Sequence, residues 1–308
     1  MPEKLSFRYE QQSSLDYLKN TFEQVKEHLS KPEQEVFYSL VLPYQKETPK
    51  MEEFDYHDAA QDKALLQKIQ NAARPQYEKD ETQKINYVRG KICEALLAYL
   101  IEQYWMPSSL YFTETAEFDD WINGVDAIIE IENSPEKGAV VDFTTATKGE
   151  VLAKKFNTIL QKIDKGTLAE IKYFKSQQDN KCYYLKMVPA IIIAIDVPLI
   201  QELSGLYMQK QTKKLSGHWF KYALFDEILS QTNYFKNYIL NPRRKNYKAK
   251  TSQLMAQKYE ALKNAIENLK ENPLSSLKEG GVNIDDLRKE LCALSNAYKN
   301  IIERTTSF

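Results

Sequence analysis

The stretch Trp121 to Lys155 reads WINGVDAIIEIENSPEKGAVVDFTTATKGEVLAKK, and the rest of the chain is read outward from it. Two short apolar runs each carry one aspartate: Gly124-Val125-Asp126-Ala127-Ile128-Ile129 and Ala139-Val140-Val141-Asp142-Phe143. β-Branched residues crowd both runs, which favours strands over a buried helix. Between them, Asn133-Ser134-Pro135-Glu136-Lys137-Gly138 is rich in turn formers, so the pattern predicts a β-hairpin. An acid inside a buried run is costly unless a metal, hydrogen bonds or a cation compensates it. Two such acids on paired strands point to a divalent-metal site.

A helix should follow the hairpin. Thr147-Lys148-Gly149-Glu150 has the form of a capping box, with Thr147 as N-cap and Glu150 at the third helical position. At about 100° per residue, Val151, Leu152, Phe156, Ile159, Leu160 and Ile163 share one half of the helix wheel. Lys155 falls inside that stripe and Lys154 points nearly opposite it. A lysine facing inward needs a negative partner, and the two aspartates can supply one directly or through a metal.

The totals narrow the function classes. The 308 residues carry a net charge of −1, so no global basic field advertises nucleic acid, and any such surface must be local. Three cysteines, Cys93, Cys182 and Cys292, lie far apart with no CxxC, which argues against a zinc ribbon or a disulfide framework and for a reducing compartment. Met1 to Arg8 has no apolar core, so no signal peptide is expected and the expected location is cytoplasmic. The longest apolar run, Val188 to Val197, contains Pro189 and Asp196 and is too short to span a bilayer. No GxGxxG or GxxxxGK occurs among the 9 glycines, which lowers the prior for phosphate-loop enzymes.

Around the central stretch the pattern is mostly helical. Leu15, Leu18, Phe22, Val25 and Leu29 predict a helix near the N-terminus. Glu35 to Tyr44 reads as a short strand and Gln45 to Asp62 as loop, with His57-Asp58 a weak ligand pair. Lys84 to Tyr104 reads as a helix apolar nearly all round, and therefore buried, with Glu94 the one charge in its centre. Glu94 either pairs with Arg89 or Lys91 at the helix surface or belongs with the aspartates. Leu110 to Thr115 is a strand, Glu170 to Ser176 begins a strand or helix, and Asp179-Asn180 is a turn. Tyr183 to Val197 reads as one strand buried on both faces, with a helix over Ile200 to Tyr207. From His218 the pattern is helical, with a final helix pair over 251–272 and 284–304. The basic loop Asn241 to Lys250, ahead of that pair, holds Arg243, Arg244, Lys245 and Lys248, either a solvated surface or a contact for phosphate backbones.

Helix with Glu94, three strands with Asp126 and Asp142, helix with Lys155, then a buried strand gives the order α-β-β-β-α-β. Over about residues 84–207 this resembles the core of the restriction-endonuclease-like superfamily, the PD-(D/E)XK nucleases. The resemblance implies an α/β fold with a mixed sheet, flanked by helical regions at 1–83 and 216–308 around a nuclease-like core at 84–215. It places Asp126 as the first metal-binding aspartate, Asp142 as the acid of the (D/E)-x-K element, and Glu94 as the helical glutamate many members add. One departure matters: Thr144 stands where the motif lysine belongs. Some members move that lysine to the next helix, and Lys155 is placed to replace it.

The resemblance implies a Mg2+- or Mn2+-dependent hydrolase of phosphodiester bonds, a DNA endonuclease of restriction or phage-defence type. Asp126, Asp142 and Glu94 would hold the metal, and Lys155 would orient or deprotonate the attacking water. Thr144 and Thr145 could hold the lysine or a metal-bound water. The implied partner is nucleic acid, DNA before RNA; no membrane is implied, and a homodimer is left open. Two other readings stand beside it. One is a catalytically inactive nuclease-like domain that binds nucleic acid or protein. The other is a plain structural fold whose aspartates pair with lysines.

Overall fold

A computed structural model describes residues 14–105, 110–132, 138–145, 150–241 and 249–270. The N-terminal part is helical: α1 (Ser14–Val25), α2 (Lys31–Val36), α3 (Leu42–Glu47), α4 (Ala59–Glu78) and α5 (Glu81–Leu100). Glu35 to Tyr44 is therefore not a strand. A capping box starts α2: the Ser30 hydroxyl accepts from the Glu33 amide, and the Glu33 carboxylate accepts from the Ser30 amide at 2.7 Å. Pro32 then sits where its missing N–H costs nothing. A π-helical turn, Phe37–Val41, carries the helix on into α3. Buried Val36, Phe37 and Val41 are spaced for a helix face, so tertiary packing overrides the β-branched composition. The segment read as loop, 45–62, includes the end of α3, a 3-10 turn at Met51–Glu53 and the start of α4.

The sheet contains β1 (Leu110–Glu114), β2 (Ala127–Ile131), β3 (Gly138–Thr144) and β6 (Ala190–Ala194), in the spatial order β1-β2-β3-β6. The first two pairings are antiparallel and β3 pairs with β6 in parallel, so the sheet is mixed. Helix α6 (Glu150–Asp164) lies in the crossover, as parallel pairing requires a long connection. A separate two-stranded sheet, β4 (Ala169–Lys175) with β5 (Cys182–Val188), follows α6 in the chain.

The run Tyr183 to Val197 is thus two strands in two sheets. Pro189 divides them because it cannot donate to a ladder, and Met187 just before it has a left-handed backbone, φ 58°. The Pro189 carbonyl still accepts from the Val140 amide at 2.8 Å, which starts the β3–β6 pairing. The outer edge of β6 is closed by buried Gln231, whose side-chain amide donates to the Ile192 carbonyl and accepts from the Ile192 amide (2.6 and 2.9 Å).

Both faces of the sheet are covered. Ile129, Val141, Phe143, Ile191 and Ile193 share one core with Ile92 and Leu96 of α5. That core also takes in Leu18 and Phe22 of α1 and residues of further helices, among them α7 (Val197–Met208), α9 (Trp219–Leu240) and α10 (Ala249–Lys270). A short helix, α8 (Thr212–Ser216), links α7 to α9. On the opposite face, Ile192 and Ala194 pack with Leu152, Phe156, Ile159 and Ile163 of α6. Val151, placed in that stripe by the wheel, is exposed. The Thr147 cap, the linker 133–137 and the helix over 284–304 lie outside the described residues.

The hairpin depends on Gly138. Its φ is 123°, and a Cβ there would lie 1.7 Å from the Ile129 carbonyl oxygen. Gly138→Ala should therefore cost on the order of 3 kcal/mol, read as a fall in the urea midpoint. An unchanged midpoint would mean that the β2–β3 register does not need this close approach.

Candidate active site

Charged side chains come together where β2 and β3 meet α5 and α6. From α5, Lys91 and Glu94 stand one turn apart and pair at 2.7 Å. Lys91 also pairs with Asp120 at 2.9 Å. Glu94 thus does pair with Lys91, but all three groups are largely shielded from solvent rather than at the helix surface. Arg89 turns away to buried Glu33 at 2.9 Å.

Asp120 belongs to a π-helical turn, Asp119–Asn123, that follows β1. Buried Asp119 fixes this turn: its carboxylate accepts from the amides of Lys172 and Tyr173 in β4 and from the Asn123 side chain (2.9, 2.8 and 2.6 Å). Gly124 ends the turn in the left-handed conformation, φ 65°. The Val125 amide then returns to the Asp119 carbonyl at 3.1 Å.

Asp126 enters β2 with its amide bonded to the Val141 carbonyl at 3.0 Å. One oxygen of its carboxylate accepts from the Phe143 amide at 2.6 Å. Asp142, on β3, is paired with Lys155 from the second turn of α6. The Lys155 ammonium also donates to the Phe143 carbonyl at 3.0 Å. So Phe143 is held between Asp126 through its N–H and Lys155 through its C=O. Lys154 is exposed. Thr144 is buried, and its carbonyl accepts from Ile195 at 3.0 Å.

These charges shape one another. Burial, followed by the charges of Glu94, Asp120 and Asp142, holds Asp126 well above the usual carboxylate range. Burial pushes Glu94 up to about 7 against the pull of Lys91. It also raises Asp142, although Lys155 opposes the shift. For both lysines burial disfavours the charge, yet the acids outweigh it: Asp120 and Glu94 hold Lys91 up, and Asp142 and Asp126 hold Lys155 up. Glu114, at the end of β1, feels the same surroundings. Burial pushes it to about 8, opposed by a hydrogen bond from the Thr48 hydroxyl and by Lys91.

Among the described residues no three His, Cys, Asp or Glu side chains already stand as a metal-binding group. Each acid has a partner within the chain: Lys91 pairs with Glu94, Lys155 with Asp142, and the Phe143 amide donates to one oxygen of Asp126. The donor chemistry nevertheless fits a hard divalent cation. All the candidate donors are carboxylate oxygens, as Mg2+ and Mn2+ require, and the acids raise one another's pKa in the way an added cation would relieve.

Lys91 as a bridge, Asp120 and Glu114 were not singled out from the sequence. The adjacent acids Asp119-Asp120 before Trp121 were the available signal. Asp58 is drawn elsewhere, to Lys172, which also holds Asp62. Arg243, Arg244, Lys245 and Lys248 lie outside the described residues.

The raised Glu114 makes a signed prediction. An acid whose folded value, about 8, exceeds its ordinary 4.5 stabilises the fold fully at low pH. That contribution is lost as pH rises through about 8. In chelator, the melting temperature of the wild type should fall between about pH 5 and about pH 8.5. Glu114→Gln keeps an acceptor for Thr48 and should flatten the fall. A variant with the wild-type slope would show that Glu114 is already ionised at neutral pH.

Comparison with protein-family models, with curated proteins and with solved structures gave no match, so the functional reading rests on the chemistry of these residues.

Proposed function

We propose that the chain is a metal-dependent nuclease that hydrolyses phosphodiester bonds, with DNA as substrate. The observation that carries this reading is the joint placement of Asp126, Asp142 and Lys155. An acid at the start of one strand and an acid on its neighbour flank Phe143, and a lysine from the following helix reaches the second acid. That lysine stands in for the one missing at Thr144. The mixed four-stranded sheet supports the reading, although the β4–β5 pair stands between α6 and β6 where the expected order has none.

In this account Asp126 and Asp142 would hold the metal, with Glu94 as a third ligand. A bound Mg2+ or Mn2+ supplies charge neutralisation at the phosphate and a more acidic water. The remaining work belongs to the chain. Lys155, kept protonated by its acidic surroundings, donates from Nζ to an oxygen on the attacking water or the phosphate and steadies developing negative charge. The Phe143 carbonyl fixes the direction of that ammonium. Lys91 pairs with Glu94 and so sets its orientation.

A second reading has its own support. In the metal-free arrangement each acid already has an internal partner. A domain content with those partners could bind nucleic acid or protein and cut nothing.

Nicking of supercoiled plasmid separates the two. With Mg2+ or Mn2+ the wild type should nick, and with chelator it should not. Asp142→Ala should abolish nicking while leaving the metal-free protein folded. Lys155→Met should reduce the rate by a factor on the order of 10²–10³, the range for a lost donor to developing negative charge. No metal-dependent nicking of any DNA would favour the binding module. Wild-type rates from Asp142→Ala would refute the assignment of this site.

A further inference from the structure

The same helix presents a second lysine to the site. Lys162 lies seven residues after Lys155, two turns along α6 and so on the same face. The two are treated differently by their surroundings. Lys155 is paired with Asp142. Lys162 is half-buried, and its ammonium makes a 3.5 Å contact with the Asn123 carbonyl, at the end of the turn that carries Asp120. Among the described residues it makes no ion pair. Burial lowers its pKa, and the charges of Asp142 and Glu170 only partly offset this. A partly desolvated ammonium without a counter-ion is unfavourable unless something anionic joins it. Asp142 is near enough to act on Lys162 through space, so that anion would stand beside the acids.

We infer that Lys162 is an anion-binding residue of this site, taking a non-bridging oxygen of a phosphate in the bound substrate next to the one at Lys155 and Asp142. The inference rests on the nuclease reading for the identity of the ligand, a phosphodiester strand; for the anion it rests on the half-burial of Lys162 on the Lys155 face of α6 and its contact to the Asn123 carbonyl. Lys155 works at the reacting phosphate; Lys162, about 10 Å further along the helix axis at about 1.5 Å per residue, stands far enough away to meet a different phosphate of the same strand. It is a binding residue and not a proton-transfer group. The contact to Asn123 holds the ammonium toward the turn in the absence of a ligand.

The test uses the full chain and a labelled DNA duplex, with chelator present so that no cleavage occurs, across a salt series. Lys162→Gln should weaken binding by roughly 5–10-fold at about 0.1 M salt. It should lower the slope of log Kd against log salt by about 0.9, the value for one phosphate contact. Lys162→Arg should restore both, and Lys154→Gln, on the exposed side, should change neither. Wild-type affinity and slope from Lys162→Gln overturn the inference. Titration with inorganic phosphate, read by NMR at the lysine side chains, separates the two claims. If the wild type binds no duplex but phosphate shifts the Lys162 resonance, the anion site stands and nucleic acid is not its ligand. If phosphate leaves that resonance unmoved while duplex binding is normal, the anion site falls and the nuclease reading is untouched.

Discussion

The structure depends on keeping acids that water can no longer solvate. Glu94, Asp120, Asp126 and Asp142 meet where α5, the Asp119–Asn123 turn, the central hairpin and α6 come together. Two lysines, Lys91 and Lys155, answer those four carboxylates. Burial comes first and the neighbouring acids add to it: together they hold Asp126 well above the usual range and Glu94 near 7, against the pull of Lys91. A divalent cation would relieve that crowding of acids, which adds to the reading carried by the placement of Asp126, Asp142 and Lys155.

The scaffold places these groups by solving other polar problems first. Asp119 spends its carboxylate on backbone amides of β4 and so sets the direction of its neighbour Asp120. Glu130, fully buried in β2, accepts from the Thr113 and Ser176 hydroxyls and from the Gln177 amide, and thereby ties β2 to the turn between β4 and β5. Gln231 closes the edge of β6. Glu130 also shows that an acid in a buried strand need not be a ligand. It has neutral donors in good geometry, whereas Asp126 and Asp142 face other charges.

Much of the core was legible because its signals are local. Hydrophobic runs with turn residues between them marked β2 and β3, and a continuous apolar centre marked α5. The helical period placed Lys155 toward the sheet, although the same wheel wrongly buried Val151 at the first turn of α6. The failures were of two kinds. The run Tyr183 to Val197 looked like one strand because composition does not reveal that Pro189 divides two sheets. Glu35 to Tyr44 looked like a strand because its apolar residues suit either period, and the Ser30–Glu33 box that starts the helix lies just upstream. The wider site was not legible, since Asp120, Glu114 and Lys91 converge through tertiary contacts that leave no fixed spacing in the chain.

The central claim is that the acids flanking Phe143 are ligands for a divalent cation. Its most direct measurement is anomalous diffraction from crystals of the protein soaked in Mn2+. The account predicts a peak about 2.1–2.5 Å from carboxylate oxygens of both Asp126 and Asp142, the distance range for hard oxygen ligands, with Lys155 moved off Asp142. A fully soaked crystal with no peak at that position, and with Lys155 still bonded to Asp142, would contradict it.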